Sequence, residues 1–192
     1  MADFPATRAS LLVRLRDGQD QAAWGEFVRL YAPVVYRYAR RRGLQDADAA
    51  DVMQEVLKSV SASVGAFDPR LGLFRSWLFT LAHRRLYDLV QRNQRPDAAG
   101  GQPTVVLETA PARDDEESWN QEFERQLFNL AADLIRPTFS DATWQAFHLT
   151  AVESKSGQEA AAQLGISVAA VYLAKSRVMV KLKAEVKRLQ AE

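Results

Sequence analysis

Helical periodicity runs through almost the whole chain, and signals for β-strands are nearly absent. The only β-branched cluster of note, PTVVLET at 103–109, is short and lies in a segment rich in Pro and Gly. Elsewhere apolar residues recur at spacings of three and four, as on the buried face of a helix. The 192 residues are 47% hydrophobic, which is enough to form packed cores. The sequence therefore predicts an all-α fold.

A segment of different composition divides this helical pattern. Residues 96–118 combine several Pro and Gly residues with a run of acids, a composition typical of a flexible tether. We therefore predict two small helical domains, 1–95 and 119–192, joined by an acidic, Pro/Gly-rich linker, 96–118.

The periodicity also predicts the individual helices. In the first domain we expect helices over about 7–17 and 21–42, a third beginning at the acids near residue 46, and a fourth over 73–92. Pro33 is expected to kink or divide the second. In the second domain we expect helices over about 119–135, 140–152, 157–164 and 167–190.

Charge is balanced overall but unevenly distributed. Lys and Arg total 25, and Asp and Glu total 24, so net charge indicates no partner. Basic residues dominate 70–95 and 172–188, and acids dominate the stretch between them. Two basic segments suit two separate contacts with a polyanion, although two solvated helical faces would look the same.

Several classes of site are disfavoured. The chain has no Cys, which removes disulfides and thiol chemistry, and its two histidines lie far apart. We predict no catalytic residues, no cofactor and no metal site. No apolar run approaches membrane-spanning length, and the N-terminus lacks a signal-peptide core, so we expect no membrane insertion.

The stretch SGQEAAAQLGISVAAVYLAKSR, 156–177, has the features of a helix-turn-helix. Ser156 and Glu159 have capping-box spacing, Gly165 suits a corner with positive φ, and Ser167 suits the cap of the next helix. In that helix one face is aliphatic, and the opposite face includes Tyr172 with cations beside it. This pattern favours insertion of the second helix into the major groove of DNA over an ordinary helical hairpin with a solvated basic face.

Three segments in order resemble a known family. DADAADVMQEVLKSV, FDPRLGLFRSWLFTLAHRRLYDLVQR and SGQEAAAQLGISVAAVYLAKSRVMVKL are similar to successive signatures of extracytoplasmic-function (ECF) sigma factors, two-domain bacterial subunits that direct RNA polymerase to promoters. The resemblance implies a cytoplasmic protein in which 1–95 is sigma region 2 and 119–192 is the region 4 helix-turn-helix.

The resemblance also implies a partner for each set of residues. Docking on the clamp helices of the largest subunit of core RNA polymerase is assigned to Asp48, Asp51, Gln54 and Glu55. Recognition and melting of the −10 promoter element are assigned to Phe67, Arg70, Arg75, Arg84, Arg85 and Arg92. Recognition of the −35 element in duplex form is assigned to Ser167, Ala169, Tyr172, Lys175, Ser176, Arg177 and Lys181. Trp77, with its neighbours Leu78 and Leu81, is expected to be core rather than a stacking platform.

The chain departs from the family pattern at two places. Arg84 stands where the family commonly has Asn, at a position implicated in base selection. Tyr172-Leu173-Ala174 stand where Lys-Ser-Arg is common, and Ala169 offers thymine methyl groups an apolar contact instead of hydrogen bonds. The preferred promoter sequence is therefore not predicted.

Other functions stay open at this stage. A stand-alone helix-turn-helix repressor or activator is the main alternative. A metal-dependent nucleic-acid hydrolase would need clustered carboxylates, and these acids lie at helix starts or in the linker. A pure interaction protein is the third alternative. Regulation of the protein by an anti-sigma factor, by a kinase or through its expression alone stays open.

Overall fold

The structure, a computed structural model, describes residues 9–93 and 113–191. Within these ranges it contains eight α-helices and no β-strand, which confirms the all-α prediction. The helices are α1 (Ala9–Leu15), α2 (Gln21–Arg41), α3 (Asp46–Ser63), α4 (Phe74–Asn93), α5 (Arg113–Ile135), α6 (Asp141–Phe147), α7 (Gly157–Leu164) and α8 (Val168–Ala191). The expected helix over 140–152 is instead α6 followed by a π-helical turn, His148–Val152.

The chain divides between Gln126 and Leu127 into two compact units, here called unit 1 (up to Gln126) and unit 2 (from Leu127 to Ala191). The division between Gln126 and Leu127 lies after the predicted linker, 96–118. Residues 96–112 lie outside the described ranges, but residues 113–118 form the start of α5. The acids Asp114, Asp115 and Glu116 occupy its first turn, where the helix dipole favours negative charge. An acidic run that looks like a tether is therefore partly a helix start.

Unit 1 is built around α2, whose apolar side faces α3 and α4. The buried residues recur every three or four positions on each helix, as the periodicity predicts. The largest buried side chains of this core include Phe27, Tyr31, Tyr38, Leu78 and Leu86, and α3 contributes Val52, Val56 and Val60.

Pro33 lies inside α2, yet α2 is a single helix. Proline has no N–H, so the carbonyl of Arg29 loses its usual donor four residues on. The side-chain amide of Gln126 replaces that donor, because its Nε2 lies 3.0 Å from the Arg29 carbonyl oxygen. Gln126 also accepts a hydrogen bond from Arg37 at 2.9 Å. A side chain 93 positions after the proline therefore supplies the missing donor, and the expected division of α2 does not occur.

The first part of α5 belongs to unit 1 because its aromatic side chains pack in the core. Trp119 lies edge-on to Tyr38, with ring centroids 5.6 Å apart, and 5.7 Å from Phe79. Phe123 stacks on Tyr31 at 5.5 Å. Burial of these two rings explains why a compact unit extends past the predicted linker.

Unit 2 has a core of small and aliphatic residues. Ala160 and Ala161 of α7 face Val171 and Ala174 of α8, together with Ala146 and Leu149. A second cluster is formed by Ala131, Ile135, Phe147, Val178 and Leu182. Small side chains allow the two helices to approach closely, as expected from the Ala run in the sequence.

Candidate protein and nucleic-acid interfaces

The four residues predicted to bind polymerase lie along one helix, α3. Asp51 and Gln54 are exposed, and Asp48 and Glu55 are half-buried. Glu55 accepts a hydrogen bond from Lys58 Nζ at 2.9 Å, and Lys58 holds the pKa of Glu55 below its ordinary value. The exposed face of α3 is therefore acidic and amidic but includes Lys58, which the sequence-based prediction missed although it lies four residues after Gln54.

A groove of about 410 Å³ separates α3 from α4. It brings Asp51 and Glu55 together with Arg85 and Arg92, residues that the resemblance assigns to two different partners. Arg85 Nε donates to Ser59 Oγ at 3.0 Å, so this guanidinium faces α3. The structure thus sets Arg85 and Arg92 beside the predicted polymerase-binding face.

Arg75 does not present its charge to DNA in this structure, which corrects the prediction. It is 4% exposed, and its guanidinium carbon lies 4.8 Å from the ring centroid of Phe123 on α5. Burial lowers the pKa of Arg75. A guanidinium can stack on an aromatic face inside a core, and the sequence gives no sign of a partner 48 positions away.

Phe67 is likewise part of the packing rather than an open platform for a base. It is 9% exposed, and its ring lies 5.3 Å from Phe74 and 5.5 Å from Trp77. Arg16 donates to its carbonyl oxygen at 3.2 Å. Trp77 is half-buried in the same aromatic cluster, so its indole helps to form the core as expected.

Around this cluster lies an exposed surface that continues along α4. A groove of about 320 Å³ is lined by Phe67, Trp77 and Thr80 together with Leu71 and Leu73 of the preceding loop. Leu71 is 88% exposed and Leu73 49%. The sequence-based prediction missed these leucines because apolar loop residues carry no periodic signal.

Two arginines from the predicted −10 set are exposed near that groove. Arg84 follows Thr80 by four positions, so the two residues share an exposed face of α4. Arg70 is also exposed, but it forms hydrogen bonds of 2.6–3.0 Å with Asp68, which lower the pKa of that carboxyl group. Arg84 is therefore the more accessible of the two cations.

The helix-turn-helix of unit 2 has the predicted caps. The Ser156 hydroxyl accepts from the Glu159 backbone N–H at 3.2 Å, and the Glu159 carboxylate accepts from the Ser156 N–H at 2.8 Å. Gly165 has φ 66°, the left-handed conformation expected at the corner. Ser167 accepts from the Ala170 N–H at 3.1 Å at the start of α8.

Most residues predicted for the −35 element lie on the open side of α8. Those that are exposed are Ser167, Ala169, Tyr172, Ser176, Arg177 and Lys181. Lys175 is only half-exposed, and its Nζ donates to the Thr150 carbonyl at 3.4 Å, so it turns towards the body of unit 2. The structure adds Leu173 and Val180 to this side, at 52% and 68% exposure.

Tyr172 makes a contact that connects α8 with α7. A Cβ atom added to Gly157 would lie 2.7 Å from Cζ of the Tyr172 ring, so the ring lies directly against the Gly157 backbone. Tyr172 is nevertheless 56% exposed. Its ring therefore covers the start of α7 instead of extending freely into solvent.

Residues 9–93 and 113–191 contain no group of three or more His, Asp or Glu arranged to hold a metal ion. None of the eight helices combines the length and apolar character needed to cross a membrane.

Comparison with known proteins gives a family match within the first part of the chain. Residues 27–96 match the family Sigma-70 region 2. Over 88 residues the chain is 28% identical to the ECF RNA polymerase sigma factor RpoE of Cereibacter sphaeroides, a match that covers 46% of this chain and 49% of that protein. The chain thus spans about half the length of this relative.

Two further relatives match over more of the chain. The RNA polymerase sigma factor CnrH of Cupriavidus metallidurans is 29% identical over 86% of this chain and 87% of its own length. The ECF RNA polymerase sigma factor SigE of Mycolicibacterium smegmatis is 30% identical over 79% of this chain and 58% of its own length. The solved structure of CnrH in complex with the cytosolic domain of CnrY is 23% identical, covering 93% of this chain and 96% of that chain, with a TM-score of 0.39.

An all-α chain that joins a Sigma-70 region 2 segment to a helix-turn-helix has the layout of a transcription factor. The chain is similar to sigma-70 proteins of the extracytoplasmic-function group, over residues 27–96 by the family match and over most of its length by two of these relatives.

Proposed function

We propose that this chain is a sigma factor that binds core RNA polymerase, directs it to promoters and helps to open the DNA. The observation that carries the proposal is the order of two elements in one chain. A Sigma-70 region 2 match at residues 27–96 precedes a capped helix-turn-helix at 156–191 whose open side carries cations. The polymerase performs the chemistry, so the chain acts as a specificity subunit, not an enzyme, and acts in the cytoplasm.

For the polymerase contact, we propose the exposed face of α3. Asp51 and Gln54 offer a carboxylate and an amide to a basic surface, and the groove beside α4 adds Glu55. The partner we expect is the pair of clamp helices of the largest polymerase subunit. Charge complementarity of this kind governs association rate and specificity more than total affinity.

For the −10 element, we propose the exposed face of α4 and the loop before it. Arg84 is placed to contact the phosphate backbone, and the groove beside Trp77 and Leu71 is large enough to receive part of an unstacked base. Holding a base outside the duplex offsets lost pairing and stacking, so strand separation needs no ATP.

For the −35 element, we propose that α8 enters the major groove of duplex DNA, with Arg177 and Lys181 near phosphates. Replacing Arg177 with Gln should lower affinity for all sequences alike and reduce the slope of affinity against salt by about one.

Run-off transcription with core polymerase on a library of genomic fragments tests the whole proposal. We expect specific initiation at a small set of fragments that share two separated elements. If the protein neither binds core polymerase nor gives specific initiation, yet binds duplex DNA unaided, it is a stand-alone repressor or activator.

Two variants test the assignments within unit 1. Asp51→Ala with Gln54→Ala should weaken polymerase binding, whereas Asp133→Ala, an exposed acid in unit 2, should not. Arg84→Gln should slow open-complex formation, whereas Arg29→Gln, exposed on α2, should leave its rate unchanged. Equal behaviour of variant and control would remove the corresponding assignment.

The family resemblance also implies a protein regulator, such as an anti-sigma factor. A regulator that covers the α3 face should compete with core polymerase. We expect Asp51→Ala to weaken both complexes, which a pull-down with each partner measures.

A further inference from the structure

The open side of α8 is unusually apolar for a helix with so many cations. Ala169, Leu173, Ser176 and Val180 point within about 60° of one another on a helix of 3.6 residues per turn. Leu173 is 52% exposed and Val180 68%. None of these four side chains carries a charge, and only Ser176 can form a hydrogen bond. This line of residues is here called the apolar stripe.

The charges on either side of the apolar stripe indicate what covers it. From Ser167 to Ala184 the chain has four cations and no Asp or Glu. Arg177 and Lys183 are exposed close to the stripe. The first acid, Glu185, forms a 2.7 Å ion pair with Arg188. Duplex DNA can place its phosphates near these cations while its base edges contact the apolar stripe. An apolar protein partner would instead have to bury the cations.

Duplex DNA offers an apolar group in its major groove only at thymine. The C5-methyl of thymine projects there, and uracil differs from thymine in lacking it. In a helix-turn-helix the N-terminal residues of the second helix contact base edges. Ala169 and Leu173 lie in the first two turns of α8, directly after the cap at Ser167.

We propose that Leu173 and Ala169 recognise the upstream promoter element through thymine methyl groups, so that T is distinguished from other bases mainly by apolar contact. The inference rests on the proposed function, because it assumes that α8 enters the groove. It accounts for an exposed leucine at a position where side chains that form hydrogen bonds are the usual means of reading bases.

Geometry supplies a matched control within the same stripe. Leu173 lies about 6 Å along the helix axis from Ala169, whereas Val180 lies about 16 Å from it. The major groove is about 12 Å wide, so we expect Val180 to lie beyond the base edges. Val180 is also aliphatic and is more exposed than Leu173, at 68% against 52%, so it tests whether exposed apolar area alone is enough.

The experiment compares thymine with uracil in a promoter selected by run-off transcription from the genomic library. Full-length protein with core polymerase binds fragments in which dU replaces dT within the upstream element or only in the spacer. Each contacted methyl group that is removed should weaken binding about threefold to fourfold. Replacement in the spacer should have no effect.

Variants then identify the side chain responsible. Leu173→Ala should abolish the difference between T and U at one position of the element, whereas Val180→Ala should leave it unchanged. A purely structural role for Leu173 would weaken binding to both fragments equally, so loss of the T/U difference is diagnostic. Melting curves of both variants check that they fold.

Three results would overturn the inference, and they differ from failure of the proposed function. These are equal affinity for T and U in the element, a selected element without A·T pairs, or Leu173→Ala weakening polymerase binding instead of DNA binding. In each case specific transcription by the unmodified protein would persist. Absence of initiation on every fragment would instead overturn the proposed function itself.

Discussion

The two units differ in where they place charge. Of the six polar or charged residues that are buried in the described part of the chain, five lie in unit 1 and only Thr150 lies in unit 2. Those of unit 1 are Arg75, His83, Asp115, Glu122 and Gln126. Unit 2 keeps its ionised groups at the surface and buries mainly aliphatic side chains.

The difference shows how each unit is held together. Glu122 is 1% exposed and lies 2.7 Å from both Arg37 and Arg41, which are about 80 positions earlier in the chain. Asp115 pairs with Arg42. Unit 2 relies on local devices instead, such as the capping box and the glycine corner. Unit 1 therefore has buried ion pairs between distant segments, whereas the distant segments of unit 2 meet through apolar contacts such as those of Ala131 and Ile135 with Val178 and Leu182.

The largest expected effect tests whether the start of α5 belongs to unit 1. Trp119→Ala removes a fully buried indole and should destabilise unit 1 by about 3–5 kcal/mol. Hydrogen exchange measured by mass spectrometry should show lost protection in α2 and α4, with α7 and α8 unchanged.

Trp144→Ala is the matched control, because Trp144 packs on Phe147 in unit 2. It should reduce protection in unit 2 and leave α2 and α4 unaffected. If Trp119→Ala instead loosens α6–α8, the division between Gln126 and Leu127 is wrong.

The second prediction compares a buried ion pair with an exposed one. Glu122→Gln keeps the size of the side chain but removes a charge that two arginines share. We expect the free energy of unfolding to fall by about 2 kcal/mol, which is below the usual range for breaking a buried ion pair. The effect is smaller because Arg37 and Arg41 are 28% and 39% exposed and can be hydrated.

Glu185→Gln provides the comparison in unit 2. Glu185 and Arg188 are also 2.7 Å apart, but they are three residues apart on one helix. Loss of this ion pair should lower the free energy of unfolding by at most about 0.5 kcal/mol. Urea unfolding of both variants measures the contrast, and equal costs would show that burial of Glu122 does not matter.

The same contrast explains which features the sequence predicts. In unit 2 the ionised residues lie at the surface. The bounds of α7, the caps at Ser156 and Ser167 and most of the exposed residues of α8 therefore follow from local patterns, whereas the π-helical turn after α6 does not. In unit 1 Arg75 looks like a surface cation but is covered by Phe123. No local pattern encodes a partner that lies 48 positions away, and the hydrogen bond from Gln126 to the Arg29 carbonyl is missed for the same reason.

The third prediction concerns the capping box of α7. Ser156→Ala removes the acceptor for the Glu159 N–H and should destabilise unit 2 by about 1 kcal/mol. Hydrogen bonding from Ser156 holds the pKa of Glu159 below its ordinary value. The contribution of the ionised carboxylate is therefore present at neutral pH and is lost as pH falls below about 4. Thermal melts between pH 7 and pH 3 should show the native and Ser156→Ala proteins converging, and a constant difference would contradict this account.

The smallest expected effect on stability tests the contact between α7 and α8. Gly157→Ala places a Cβ 2.7 Å from the Tyr172 ring, but that ring is 56% exposed and can swing into solvent. We expect a net change within about 0.5 kcal/mol, because alanine also restricts the unfolded chain. In a Tyr172→Ala background the same substitution should stabilise by about 0.4–1 kcal/mol. Urea unfolding of the four proteins gives the coupling between the two positions. A loss above about 2 kcal/mol for Gly157→Ala alone would mean that the tyrosine cannot move, and that unit 2 also depends on a contact as rigid as those in the core of unit 1.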